Sequence, residues 1–275
     1  MRDDFIVVGG CRIRYRRLDS HRKALPVLLI HGAGAHAGWW QAVVPYLGQF
    51  RDVVMIELSG HGDSGHRDDD YGLSTWAQEI RAVIDELDAR EVALVGHSMG
   101  GLVALYAAAM FPDVVRAVIA IDSAIIPHPP RPGGSRVVKF YASQDEGIKN
   151  FRLRPRATCA AHRLLVDVAR GGLREEQNGW RWKFDPSTMH RIPRDVLNAA
   201  IAKIECSVGF IYGAASEIAN LSAVERLAEM LGRPVPNIVV PRAYHHVPLD
   251  APARTAAAIE ILLSEPITGC SEITH

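Results

Sequence analysis

The stretch Val92-Ala-Leu-Val-Gly96-His-Ser98-Met-Gly100-Gly101-Leu-Val-Ala-Leu-Tyr-Ala-Ala-Ala109 decides the fold. Its opening apolar run, Val92 to Val95, reads as a buried strand, and Leu102 to Ala109 reads as a buried helix. Between them stands Gly-x-Ser-x-Gly. A chain that passes from strand to helix around a single serine must turn sharply, and Gly96 and Gly100 remove the side-chain bulk that would hold the two elements apart. The turn lifts the Ser98 hydroxyl to the edge of the sheet. It also aims the unpaired N–H groups of the helix N-terminus at whatever that hydroxyl attacks.

Outward from this elbow the chain alternates strand and helix. Upstream, Phe5 to Val8 and Cys11 to Arg16 flank Gly9-Gly10 and read as a hairpin. Pro26 to Ile30 is a buried strand running into His31-Gly32-Ala33-Gly34, and a helix is expected from Trp39 to Leu47. Asp52 to Glu57 is the next strand, followed by Gly60-His-Gly62-Asp-Ser64-Gly65. Ser74 reads as an N-cap for a helix whose apolar stripe is Trp76, Ile80, Val83, Ile84 and Leu87. Downstream, Val114 to Ile121 is a strand ending at Asp122. Ser207 to Tyr212 and Asn237 to Val240 are strands, with helices over Leu221 to Leu231 and Ala253 to Leu263. This rhythm specifies a mostly parallel twisted sheet with helices on both faces, in which ligands bind beyond the carboxyl ends of the strands. Ser98, the His31-Gly32 loop and Asp122 all fall at that rim.

Residues 127–192 break the rhythm. Helical patches are expected at Val137 to Tyr141 and Ala160 to Ala169, without clear strands, and the segment reads as a helical lid. The resulting division is a core over 1–126, a lid or cap insertion over 127–192, and the rest of the core over 193–275.

Composition narrows the class. The chain has 275 residues, 48% apolar and 23% charged, with 31 basic and 31 acidic side chains. That balance carries no sign of a nucleic-acid partner. No apolar run is long enough to span a bilayer or to serve as a signal peptide. Cys11, Cys159, Cys206 and Cys270 are scattered and form no zinc spacing, so reduced thiols and a cytoplasmic location are expected. His128, His162 and His190 show no metal-ligand spacing and read as solvated. The neutral total hides a split: residues 127–192 hold 13 basic against six acidic side chains, a net +7, and the remainder carries −7. Arg152, Arg154 and Arg156 alternate along Phe-Arg-Leu-Arg-Pro-Arg, a spacing that lets them share one side of an extended segment.

His31-Gly32, Gly60-His-Gly-Asp-Ser-Gly65, Gly96-His-Ser98-Met-Gly100-Gly101 and His245-His246-Val-Pro-Leu-Asp-Ala-Pro252 together resemble the α/β-hydrolase fold superfamily, in its lidded, serine esterase-like branch. The resemblance implies Ser98 as nucleophile, His245 as base with His246 as the neighbouring alternative, and an oxyanion hole from the Ala33 and Met99 amides. The acid is less direct. Many members carry it in a Gly-x-x-Asp pattern, where this chain reads Gly213-Ala-Ala-Ser216. Members with serine there keep the acid at the preceding strand end, here Asp122; Glu217, one residue late, is the runner-up. His36, Trp39, Trp40 and His97 are candidate pocket residues, of which His36, Trp40 and His97 are assigned to substrate binding, while His61 and Asp63 read as structural.

The implied activity is hydrolysis of a carboxylic ester or thioester through an acyl-enzyme, with no cofactor and no metal. The partner is a small-molecule ester or thioester; the charge split reads either as a basic lid seated on an acidic body or as a lid that attracts an anionic or carrier-bound substrate. A C–C bond hydrolase or acyltransferase with the same triad is the chemical alternative. A non-catalytic ligand-binding protein on the same fold is the alternative of another class.

Overall fold

The computed structural model describes residues 1–20, 24–68, 71–87, 89–126, 138–189 and 192–264. β1 (Arg2–Val8) and β2 (Cys11–Leu18) form the antiparallel hairpin, and β2 pairs antiparallel with β4 (Val53–Glu57). The remaining pairings are parallel, through β3 (Val27–Ile30), β5 (Val92–His97), β6 (Val115–Ile121), β9 (Ser207–Gly213) and β10 (Asn237–Val240). The strand order is β1-β2-β4-β3-β5-β6-β9-β10.

The two-residue period of the strands divides the core. Leu28, Ile30, Val54, Ile56 and Leu94 face one side, where α2 (Leu73–Asp85) and α3 (Met99–Met110) bring Trp76, Ile80, Val103 and Leu105. Val27, Leu29, Val53, Met55, Ala93 and Val95 face the other, against Val44 and Leu47 of α1 (Val44–Leu47) and Ala256 and Ile259 of α9 (Pro252–Ser264). The central strands are buried on both faces, which explains their unbroken apolar sequences. Each fully buried large side chain contributes about 1.5–3 kcal/mol by leaving water.

The structure differs from the sequence expectations locally. The helix expected over Trp39–Leu47 is a 3-10 turn, Ala37–Trp40, and then the short α1, because Pro45 has no N–H to continue a helical ladder back to Gln41. α2 begins after Gly72, whose backbone is extended, so Ser74 lies inside the helix. Residues 138–189 contain α4 (Gln144–Lys149) and α5 (His162–Gly171), and also a hairpin of β7 (Leu173–Glu176) and β8 (Gly179–Trp182) that the sequence reading lacks. Gly179 takes φ +110° just after the hairpin turn, a conformation that suits glycine. Residues 138–140 are not helical, and Tyr141 bridges antiparallel to Trp180. The chain then passes through α6 (Arg194–Ile201), α7 (Leu221–Leu231) and α8 (Val247–Asp250).

Residues 138–189 are fastened to the rest of the described chain on two sides. The Tyr71 hydroxyl donates to Asp185 at 2.9 Å, and the Asp185 amide donates to the Gly60 carbonyl at 2.7 Å. On the other side Leu153 and Val168 pack with Ala35, Trp39 and Leu249. Expectations for Val137, His128, His190, Cys270 and the tail beyond Ser264 lie outside the described residues. Among the described residues no helix is long and apolar enough to cross a membrane.

Candidate active site

Ser98 joins β5 to α3 with φ +54° and ψ −117°, a strained backbone for any residue with a side chain. Such strain costs about 1–3 kcal/mol and persists only where neighbours enforce it. Here they do. A Cβ on Gly96 would lie 2.2 Å from the Gly100 carbonyl oxygen, and one on Gly100 would lie 2.4 Å from that of His31. The Ser98 amide donates to the Ile121 carbonyl at 2.8 Å, and the Ser123 hydroxyl donates to the Ser98 carbonyl at 2.9 Å. Ser98 itself is only half-buried.

The His31-Gly32 loop abuts this elbow: a Cβ on Gly32 would stand 3.3 Å from Ser98 Cβ. His31 sets the loop, donating from Nδ1 to the Gly32 carbonyl at 2.8 Å and accepting the Leu58 amide on Nε2 at 3.1 Å. Full burial pushes its pKa down to about 4, so it is a neutral structural ring at pH 7. Among the described residues, neither the Ala33 amide nor the Met99 amide has a hydrogen-bond acceptor. Two donors left unspent beside the serine are what a developing oxyanion requires.

Asp122 directly follows β6 with φ +46° and is completely buried. Its Oδ1 accepts the Nδ1–H of His245 at 2.8 Å and the Ser216 hydroxyl at 2.6 Å, and its Oδ2 accepts the Gly213 amide at 2.9 Å. Burial pushes the carboxyl up to about 7, opposed by the Ser216 hydroxyl and the Gly213 amide, which favour the ionised form. His245 follows β10, on the rim that carries Ser98. With Nδ1–H held by Asp122, its proton-accepting nitrogen is Nε2.

The other candidates fall into different surroundings. Glu217 is exposed and, among the described residues, bonds neither histidine. His246 donates from Nε2 to the Pro155 carbonyl at 2.8 Å, leaving its Nδ1 buried without a partner. His97 is buried and donates from Nε2 to the His245 carbonyl at 2.9 Å, so it braces the loop that bears His245. Burial and the neighbouring His245 and His246 rings hold its pKa well below the usual histidine range. His36 caps the 3-10 turn by accepting the Gly38 amide on Nδ1 at 3.1 Å, and its Nε2 reaches the Val168 carbonyl at 2.9 Å. It thus ties α5 to the 3-10 turn. Trp40 is 1% exposed within the core beside Val43 and Met55. Its neighbour Trp39 is the ring that stacks on His97, with centroids 6.3 Å apart. His61 is buried against His31 and Trp76, and Asp63 pairs with Arg14 and Lys183, so both hold loops.

Two partners escaped the sequence reading. In the sequence Ser216 reads only as a missing aspartate, yet it donates to Asp122. Ser123 packs under the elbow through Gly101, where a Cβ would lie 2.0 Å from its hydroxyl oxygen. The fold also gathers His97, His245 and His246, with one ring nitrogen of each within 4.8 Å of the others. Imidazoles so placed suit a transition metal. However, each ring also has a bond to the protein: His245 to Asp122, His97 to the His245 loop and His246 to Pro155.

Comparison with known proteins agrees with this geometry at the level of fold. Residues 27–258 match the family described as "Alpha/beta hydrolase family". Esterase Rv0045c of Mycobacterium tuberculosis is 30% identical over 169 residues, covering 58% of this chain and 56% of that protein. The 2-hydroxymuconate semialdehyde hydrolase of Pseudomonas sp. (strain CF600) is 31% identical over 128 residues, covering 45% and 44%. The matches to curated relatives span about a third to just over half of those proteins' lengths. Among solved structures, the thioesterase domain from the curacin biosynthetic pathway superposes with TM-score 0.80 at 21% identity, covering 96% of this chain and 99% of that one. E-2-(acetamidomethylene)succinate hydrolase superposes with TM-score 0.79 at 20% identity, again covering 96% and 99%. At that identity the likeness is one of fold.

Proposed function

Because this chain belongs to the alpha/beta hydrolase family, we propose that it is a serine hydrolase that cleaves a carboxylic ester or thioester through an acyl-enzyme. Ser98 is the nucleophile, His245 the base, Asp122 the acid, and the Ala33 and Met99 amides the oxyanion hole. The observation that carries the reading is the 2.8 Å bond from His245 Nδ1 to Asp122, on the same rim as a strained, half-buried Ser98.

In this mechanism the Ser98 hydroxyl oxygen attacks the carbonyl carbon while His245 Nε2 takes its proton. The carbonyl oxygen becomes an anion facing the Ala33 and Met99 N–H groups, each worth about 3 kcal/mol of barrier. The tetrahedral intermediate collapses, the C–O or C–S bond breaks, and His245 returns the proton to the departing alcohol or thiol. Water then repeats the sequence on the acyl-enzyme. Asp122 keeps the His245 tautomer and stabilises the imidazolium formed in each half.

A fluorophosphonate probe should label the wild-type protein on Ser98, and Ser98→Ala should lose both labelling and about a million-fold in kcat. Labelling that survives the substitution would remove Ser98 from the mechanism. Absence of labelling in the folded wild type would favour the non-catalytic reading. C–C bond hydrolysis is the second reading, supported by relatives whose names describe hydrolases of dienoic acids and semialdehydes. Release of free acid from a simple aryl ester, without transfer to an added alcohol, would favour the esterase over both C–C hydrolysis and acyl transfer. The substrate we favour is anionic or carrier-bound, from the charge of residues 127–192.

A further inference from the structure

An open cavity of about 510 Å³ takes no part in the chemistry above; Leu153, Arg154, Pro155, Arg156, Ala157 and Glu217 line it, and none of Ser98, Asp122 and His245 does. The lining segment has a clear division of labour. Leu153 and Pro155 are buried anchors, whereas Arg152, Arg154 and Arg156 are exposed. About half of the arginines among the described residues are matched with a carboxylate, among them Arg14, Arg51, Arg67, Arg174 and Arg226. Among the described residues, Arg154 and Arg156 have no such partner, although both face the same cavity.

The segment's position relative to the triad is set by hydrogen bonds. The Pro155 carbonyl accepts His246 Nε2–H at 2.8 Å. Two residues beyond the cavity, Thr158 and Cys159 bond the Asp250 carboxylate through a hydroxyl at 2.5 Å and an amide at 2.9 Å. Opposite, Glu217 directly follows Ser216, whose hydroxyl holds Asp122. The cavity is therefore built on the His245–Asp122 side of the site. His245 must protonate the departing group, so the leaving group lies on that side.

We propose that this cavity binds an oxyanion, carboxylate or phosphate, carried by the leaving group of the substrate, with Arg154 and Arg156 as its donors. The inference rests on the serine-hydrolase reading and adds the substrate's charge and where that charge sits. A guanidinium fork matches the two oxygens of a carboxylate or phosphate. The net +7 of residues 127–192 raises the local concentration of such a substrate. Glu217 is the counterweight: two guanidiniums against one carboxylate leave a single net positive charge, so the cavity selects for one anion without holding the product tightly.

The test compares 3-carboxyphenyl butyrate with 3-carbamoylphenyl butyrate, which differ in charge and little in size. We expect the wild type to favour the carboxylate ester. Arg154→Ala/Arg156→Ala should lower the ratio of the two kcat/KM values by about fivefold or more, a modest factor because both guanidiniums meet water. Glu217→Gln should raise the ratio, and about 0.5 M salt should lower it more in the wild type than in the double variant. A ratio that stays within about twofold of wild type in the double variant overturns the proposal. So does a loss confined to phenyl hydrogen succinate, where the carboxylate is on the acyl side. Binding of 3-hydroxybenzoate, followed by calorimetry, reads the cavity without turnover: weaker binding to the double variant is expected, and equal binding overturns the site. If neither ester is turned over by the wild type, the hydrolase reading fails, and the calorimetry still decides the cavity.

Discussion

Two neighbouring strand ends, those of β6 and β9, each had a candidate carboxylate for His245, and they ended in different states. The β6 end holds Asp122 in a left-handed backbone, wholly buried. The β9 end holds Glu217 in the open. The difference lies in the donors. Asp122 receives a hydroxyl and an amide from the β9 end, Ser216 and Gly213, as well as the His245 ring. The second strand end therefore does not compete with the first; it supplies hydrogen bonds that favour ionisation of a buried carboxyl. A buried acid depends on the donors around it as much as on its own position.

The sharpest way to break this comparison is to neutralise each carboxylate in turn. Asp122→Asn should cost about 10⁴-fold in kcat, because the amide favours the wrong histidine tautomer. Glu217→Gln should cost a neutral ester less than about threefold. The reverse ranking in steady-state kinetics would move the acid to β9.

A second substitution tests whether the two ends share one site. Adding Ser216→Asp to Asp122→Asn places a carboxylate where Ser216 now stands, and we expect it to restore about tenfold or more of the lost kcat. No recovery in a variant that keeps its Tm would mean that the β9 end cannot reach His245.

Removing only the hydroxyl should have a smaller and pH-dependent effect. On the proposed mechanism activity needs ionised Asp122, whose carboxyl is pushed up to about 7 by burial, so kcat/KM should rise with pH through the titration of the Asp122–His245 pair. Ser216→Ala takes a donor from the ionised form, so the rising limb should move to higher pH. The loss should be several-fold near pH 7 and vanish near pH 9. A profile that does not move would deny Ser216 its role.

The smallest effect is on stability. The folded pKa of Asp122 exceeds its unfolded value of 3.8, so the folded state binds the extra proton, and this group's contribution falls as pH rises from about 4 to about 7. Relative to wild type, the Tm of Asp122→Asn should therefore improve by about 2–4 °C or more between pH 5 and pH 8. A difference independent of pH would mean that Asp122 does not titrate in that range.

Much of this arrangement was legible in the sequence because it depends on local rules. Val92 to Ala109 reads as strand, turn and helix from residue size alone, and the steric contacts of Gly96 and Gly100 follow from that turn. The parallel strands were legible because burial on both faces leaves only apolar residues. What was hidden depends on neighbours distant in sequence. Trp39 and Trp40 look alike on paper, but successive residues of a tight turn point apart, and only Trp39 faces the histidines. His36 gave no sign that α5 would supply a carbonyl for its ring. The β7–β8 hairpin is short and rich in charge, without the alternating apolar pattern that marks a strand. Ser216 was visible as a departure from a pattern, but its bond to Asp122 needed β6 and β9 side by side.

The hydrogen bonds between residues 155–159 and the base loop bear on how such proteins can be recombined. An insertion between strands invites exchange, as if it were a module that could be cut out near residues 126 and 193 and replaced by that of a relative. Here the cut would strip the 2%-exposed His246 of its acceptor and Asp250 of its Thr158 and Cys159 donors. A buried donor left without a partner costs about 1–3 kcal/mol, and it would be lost next to His245. A chimera that keeps activity must therefore import a carbonyl in the place of Pro155 and donors in the places of Thr158 and Cys159. The unit of exchange is the insertion together with the 244–250 loop it grips.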